Sequence, residues 1–428
     1  MLASITVPLI GIADTAMVGR LPDVAFLGAV AAASMLFDLL FWSAGFLRMG
    51  TTSLVAQHFG AGDRRACAEV LYRSLLIALV LGGVMLLLRQ FIAEFGFSLI
   101  GGSAEVQEWG KRYFAIRSWG VPLVLIIFTL NGFFLGTGNA VVPMCLTFIA
   151  TSINVAADYA LIFGAWGAPQ LGVLGAAWAA VLANLVAVIT GLLLLVKSYG
   201  AYLKEKTDDL LARSKLVLLL RTNVNLFGRT LCLLFAQYAM VSLVARMGEV
   251  PLAAHAIIWQ IWGLVSYGVD GFAHAAETLV GGRLGARDFA GARRISWRII
   301  QWGIGIGLGF SLLYGLAIEP IARGFTAHQE VIEQIIALTY LIVLVQPLNA
   351  VVFVFDGIFI GANDMAYLFK AMGIASFGVF VPLAFICVYW LGWGMPGAWL
   401  AYNGLMLGRF FTLLPRYRGD QWLRTFVH

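Results

Sequence analysis

The sequence is short of charge. Only 12% of its 428 residues are Asp, Glu, Lys or Arg, against about 25% in a soluble domain. A soluble fold of this length cannot cover itself with so few, because too many positions face water. Cysteine is scarce as well. Cys67, Cys145, Cys232 and Cys387 lie far apart with no CxxC and no Cys/His cluster, which excludes a secreted disulfide scaffold. Catalytic signatures are missing too: Asp208-Asp209 stands alone in a polar stretch, and there is no HExxH or serine-elbow motif. An enzyme is not expected.

What is abundant is apolar. Hydrophobic residues make up 61% of the chain, and its mean hydropathy of +0.90 excludes disorder. Runs of about 20 apolar residues, the length that crosses a bilayer core, recur from end to end. They cover residues 2–19, 25–57, 66–88, 113–135, 140–163 and 171–196, then 224–247, 252–282, 295–318, 331–360, 366–391 and 398–415. The expected fold is an all-α integral membrane protein of twelve transmembrane helices. The first run starts almost at Met1 and is barely long enough to cross, so a short cytoplasmic lead is expected ahead of it.

The net charge of +6 is no nucleic-acid signal, because the basic residues sit in the short connections. Arg64, Arg65 and Arg73, the basic residues of 197–221, the arginines between 283 and 298, Lys370 and the arginines between 409 and 424 share one face. Arg20, Arg89, Lys111, Arg112, Arg117, Arg246 and Arg323 fall on the other, and Arg48 and Arg229 lie within runs. The richer face is cytoplasmic by the positive-inside rule. Both termini are therefore expected inside, in a multi-pass protein of the inner (cytoplasmic) membrane.

The halves are copies. Residues 58–73 (HFGAGDRRACAEVLYR) align with 283–298 (RLGARDFAGARRISWR) at an offset of 225, and Gly136 meets Gly361 at the same offset. Gly175-Ala-Ala-Trp178 resembles Gly397-Ala-Trp399 at 222. An even number of spans per copy gives parallel halves related by a pseudo-two-fold axis along the membrane normal. We expect an N-terminal six-helix lobe (1–196), a cytoplasmic linker (197–221), a C-terminal six-helix lobe (222–415) and a cytoplasmic tail (416–428). Such a pair suits alternating access around a central cavity.

Charges within hydrocarbon mark function by default, since each costs about 2.5–3.5 kcal/mol at the bilayer centre. Asp14 lies in the first run, and Asn154 and Asp158 lie one turn apart in the fifth. Two carboxylates and an amide can hold a proton or, with backbone oxygens, a sodium ion. Gln237 is the repeat position nearest Asp14 in the second half. There the polar content is instead a stripe at i, i+4 and i+7, Asp270, His274 and Glu277, which suits a proton relay, a cationic substrate or a structural clasp opposite Arg48. Asp38, Asn131, Asn184, Asn349 and Asp356 are further polar residues within runs; helix–helix hydrogen bonds suit most of them, and a gate suits Asp356 near its helix end. Asp63 and Asp288, after short glycine turns, read as helix N-caps.

These motifs together resemble the multidrug and toxic compound extrusion (MATE) transporters, within them the DinF branch, over nearly the whole chain. The likeness is carried by Pro8…Asp14-Thr-Ala-Met-Val-Gly19, Phe46-Leu-Arg-Met-Gly-Thr-Thr52, Ile153-Asn154…Asp158, Asp270-Gly-Phe-Ala…Glu277…Gly285-Ala-Arg-Asp288 and Asp356-Gly-Ile-Phe-Ile-Gly-Ala362. The resemblance implies an exporter of small amphipathic, often cationic compounds that works as a monomer without a cofactor and runs on a proton or sodium gradient. It also implies that Asp14, Asn154 and Asp158 carry the coupling cation. Many relatives place a threonine on the sixth helix where this chain has Ala179-Ala180-Val181, and the lost hydroxyl favours a proton over sodium. Two rivals are a lipid-linked oligosaccharide flippase of the same superfamily, which would need a strongly cationic cavity, and a channel.

Overall fold

The computed structural model describes residues 17–205, 210 and 212–425, so Asp14 and nearly all of the first apolar run lie outside the described residues. Everything described is helix, turn or loop, without a strand. The chain divides into two compact units, Leu2–Leu218 and Leu219–His428. The first contains α1 (Val24–Ala44), α2 (Phe46–Gly60), α3 (Arg64–Leu87), α4 (Arg89–Ile100), α5 (Ala104–Arg117), α6 (Val121–Gly136), α7 (Val141–Phe163) and α8 (Val173–Leu203). Helix α9 (Arg213–Ala245) starts in the first unit and leads into the second, followed by α10 (Glu249–Gly285), α11 (Phe289–Phe325), α12 (Gln329–Ala337), α13 (Thr339–Val343) and α14 (Gln346–Gly361). Last come α15 (Met365–Trp390) and α16 (Gly394–Arg418).

Among the described residues, ten helical stretches are long and apolar enough to cross a membrane. Helix α16, 25 residues long, adds the region of the twelfth run. Large apolar side chains that no neighbour covers confirm a lipid-facing side: Leu182, Leu185, Ile189, Leu193 and Val196 form an exposed stripe on α8. The opposite stripe is made of small residues at every fourth position, Gly175, Ala179, Ala183, Ala187 and Gly191, all buried. It lets α7 approach so closely that a Cβ on Gly175 would stand 2.5 Å from the Leu161 carbonyl oxygen.

Two apolar runs are locally irregular, and one placement needs correction. The run 113–135 lies in one helical stretch, 104–136, that tightens at Ser118–Gly120, and the run 331–360 is interrupted at Leu338 and again around Leu344 and Val345. Pro122 and Pro347 have no N–H to continue the ladder to the carbonyls of Ser118 and Val343. The polar stretch expected as a linker is entered by helix from both ends, since α8 runs to Leu203 and α9 begins at Arg213. Arg409, grouped with the cytoplasmic basic residues, lies inside α16 and is only 1% exposed.

The internal copying extends to atomic detail within each unit. A Cβ on Gly132 would meet the Arg48 carbonyl at 2.7 Å; one on Gly357, which is 225 positions later, would meet the Ala273 carbonyl at 2.2 Å. Gly82 makes room for Pro122 as Gly307 does for Pro347. Turns repeat as well. Asp63 caps α3 by accepting from the Ala66 N–H at 2.8 Å, and Asp288 caps α11 by accepting from the Gly291 N–H at 2.8 Å, as the sequence suggested. The residues before these caps, Gly62 and Arg287, are both left-handed, at φ 75° and 58°.

Candidate functional site

The first unit carries its polar pair on α7. Both residues are interior, Asn154 at 4% and Asp158 at 0% exposure, and their i, i+4 spacing puts them on one helix face. The Asn154 Oδ1 is buried without a hydrogen-bond partner among the described residues. A buried carboxylate beside an unsatisfied amide oxygen is an arrangement that a cation or a proton can complete. Asp14, the third member expected from sequence, lies outside the described residues.

The other candidates scatter over several elements. Arg48 on α2 is half-buried, with its backbone carbonyl against Gly132. Asn131 on α6 is half-buried, and its Oδ1 has no partner among the described residues. Asn184 on α8 is half-buried beside Gly120. Asp38 is exposed on α1, and Asn349 is buried, donating to the Gln346 Oε1 at 3.3 Å. On α10, Glu277 is 2% exposed while Asp270 and His274 are half-buried. The continuous helix through Asp270, His274 and Glu277 keeps them on one stripe.

The second unit holds a charge cluster that sequence reading only half found. Asp356 on α14, 6% exposed, accepts from both Arg229 on α9 and Arg409 on α16. Arg229 is 7% exposed, and its Nε has no partner among the described residues. Two guanidiniums on one carboxylate leave the buried cluster with a surplus positive charge, which is costly in a low-dielectric interior unless neighbours stabilise it. The Arg409 guanidinium stands 5.8 Å from the Phe353 ring centre, a geometry that supplies some of that stabilisation.

Glu69 on α3 was passed over altogether. It is 1% exposed and receives Arg65 at 3.1 Å, Arg73 at 2.9 Å and Lys215 at 2.6 Å. Arg73 also donates to the Leu210 carbonyl at 2.9 Å. One carboxylate thus pins the segment that leads to α9 onto the first unit. The sequence signal was present in the i, i+4 spacings Arg65–Glu69 and Glu69–Arg73.

Comparison with known proteins follows this geometry. The chain matches the MatE family over residues 1–160 and 226–386. It is 33% identical to the DNA damage-inducible protein F of Escherichia coli (strain K12) across 98% of this chain and 91% of that protein. It is 27% identical to a probable multidrug resistance protein NorM of Bradyrhizobium diazoefficiens, over 95% and 90% of the two chains. A crystal structure of MATE in the bent conformation superposes with a TM-score of 0.87 at 21% identity, covering 98% of this chain and 91% of that one.

Proposed function

The chain belongs to the MatE family, and on that premise we propose that it is a secondary antiporter exporting small amphipathic, often cationic compounds in exchange for protons. The relatives named for multidrug resistance support the export half of this reading. The observation that carries the coupling half is the complete burial of Asp158 beside Asn154 with its unsatisfied oxygen. A buried carboxylate one turn from an amide oxygen left without a partner among the described residues is an arrangement that a single bound proton or cation can complete.

In this reading Asp14, Asn154 and Asp158 form the coupling site. Protonation from outside repacks the first unit and lowers substrate affinity, and deprotonation toward the cytoplasm restores it. A sodium ion would use the same three residues. The stretch Ala179-Ala180-Val181 offers it no hydroxyl, and sodium needs several oxygens at once, which favours the proton. The protein acts as a monomer in the inner membrane, with both termini cytoplasmic and no cofactor.

A flippase is the weaker reading. Arg409 adds a second interior arginine beside Arg229, but both are bound to Asp356 and form no open cationic chamber of their own. The deciding experiment is dye transport in proteoliposomes under a pH gradient and a sodium gradient imposed separately. Efflux driven by the pH gradient and lost in Asp158→Asn is expected. Efflux that follows sodium alone would replace the proton, and undiminished efflux in the variant would remove Asp158 from coupling.

A further inference from the structure

The same stretch of helix is covered in one unit and bare in the other. At the offset of 225, Arg294, Trp297 and Arg298 on α11 stand where α3 has Glu69, Tyr72 and Arg73. In the first unit the chain that follows α8 engages all three. Lys215 donates to Glu69 at 2.6 Å, Tyr72 donates to the Leu203 carbonyl at 3.2 Å, and Arg73 donates to the Leu210 carbonyl at 2.9 Å. In the second unit the chain that follows α16 seats elsewhere. Asp420 receives Arg293 at 2.6 Å, and the Tyr417 and Ser296 hydroxyls meet at 3.0 Å. Arg294, Trp297 and Arg298 stay exposed.

The bare face is a lipid face. Trp302, Leu308, Leu312 and Leu316 continue it at helical spacing, all exposed, while Ile299, Gly303, Gly307 and Tyr314 are buried on the opposite side. The 20 residues from Ile299 to Ile318 carry no charge. At about 1.5 Å per residue they match a hydrocarbon core of about 30 Å. Arg294 and Arg298 therefore stand at its edge, at headgroup level, where Trp297 and Trp302 suit the interfacial aromatic belt. Charge at this edge is one-sided. Asp288, whose carboxylate also feels Arg294, already holds Arg283 at 2.8 Å, and Asp420 holds Arg293. No ion pair joins Arg294 or Arg298 to a carboxylate among the described residues.

We propose that this face of α11 binds the headgroup of an anionic phospholipid. Arg294 and Arg298, one turn apart, hold the phosphate through charge-assisted hydrogen bonds. The indoles of Trp297 and Trp302 flank the glycerol level, and the leucine stripe receives an acyl chain. Positive charge beside a membrane surface selects anionic over zwitterionic lipid. The lipid thus occupies in the second unit the place that the chain before α9 takes in the first. The positive-inside orientation assigns it to the cytoplasmic leaflet. The site lies within one unit and is independent of coupling at Asp158 and of the compound exported.

The test is native mass spectrometry of the purified full chain in detergent, titrated with phosphatidylglycerol and with phosphatidylcholine of the same acyl chains. The first phosphatidylglycerol should bind more tightly than the first phosphatidylcholine. An arginine beside an anionic headgroup is worth about a factor of five, so Arg294→Gln/Arg298→Gln should weaken that first phosphatidylglycerol about 25-fold. Its melting temperature should not change, since both side chains are exposed. Arg298→Gln alone, expected to lose about fivefold, decides the matter if the double variant does not fold. Lys197→Gln/Lys204→Gln removes the same charge from exposed positions of the first unit and should leave the affinity as it is. Equal affinity for the two lipids, an equal loss in the lysine variant, unchanged affinity in the arginine variants, or displacement of the lipid by inorganic phosphate would each overturn the assignment. None of these outcomes bears on efflux in Asp158→Asn.

Discussion

The two units share a backbone plan and differ in where they bury charge. On α8 the buried stripe reads Gly175, Ala179, Ala183, Ala187 and Gly191; on α16 it reads Gly397, Ala401, Leu405, Arg409 and Leu413, again all buried. The fourth step is a methyl group in one unit and, in the other, a guanidinium bound to Asp356. Asp356 itself stands where the first unit has Asn131. Conversely, α7 carries Asn154 and Asp158, while the matching places on α15, judged from the paired contacts of Gly175 with Leu161 and Gly397 with Cys387, hold Phe380 and Ala384. The glycines and prolines that let helices approach are present twice, and the charges once. Scaffold and chemistry are thus separable in this fold, and Asp158 and Asp356 need not do the same work.

That contrast is sharpest between Asp158 and Asp356. Asp158→Asn should abolish gradient-driven efflux and leave the detergent-solubilised protein folded with a small change in unfolding temperature, because the amide keeps the size and shape of the carboxyl. Asp356→Asn copies the first unit's residue but strands two buried guanidiniums, and should cost about 3–5 kcal/mol, read as a large drop in thermal unfolding temperature. Arg409→Met keeps the volume and leaves Asp356 paired with Arg229, so its cost should be much smaller. Similar unfolding temperatures for Asp356→Asn and Arg409→Met would show that the surplus charge is already compensated elsewhere.

The shared scaffold can be probed at its closest approaches. Gly357→Ala would drive a Cβ to 2.2 Å from a backbone carbonyl, and Gly132→Ala to 2.7 Å. Backbone cannot swing aside as a flexible side chain can, so each helix pair must separate, at about 1–3 kcal/mol. The second unit should suffer more, and equal losses would mean that the two pairs relax by different routes. Circular dichroism melts of both variants in one detergent make the comparison.

Much of this was open to sequence reading. Hydropathy alone located the apolar runs, because the bilayer sets their length, and the HFGAGD and RLGARD turns disclosed the duplication and both Asp caps. Pro122 and Pro347 marked the irregular turns near Ser118–Gly120 and Leu344–Val345, yet the apolar composition of the runs 113–135 and 331–360 masked them. Arg409 was misjudged for a physical reason: near the end of an apolar run, a charge looks the same whether it reaches water or a partner 53 residues away in sequence.

The smallest expected effect concerns the paired turns before α3 and α11. Gly62 takes a left-handed backbone at no steric cost, with open space where a Cβ would be, whereas Arg287 adopts the same conformation with a side chain. Left-handed backbone costs a non-glycine residue about 1–2 kcal/mol, and glycine's extra freedom in the unfolded chain returns about 0.5–1 kcal/mol of that. Arg287→Gly should therefore stabilise by about 0.5 kcal/mol, or roughly 1 °C in a protein of this size, while Gly62→Ala should destabilise by a similar or larger amount. The adjoining Asp288 carboxyl is held below the usual carboxylate range by the Gly291 N–H and by Arg283. A carboxyl lowered in this way contributes its stability above the unfolded pKa of about 4 and loses it as pH falls through the folded value. The gain from Arg287→Gly should accordingly be the same at pH 7 and pH 5. A gain that vanished at pH 5 would show that Arg287 acts through charge on the turn, and that the two copies differ there in electrostatics rather than in backbone strain.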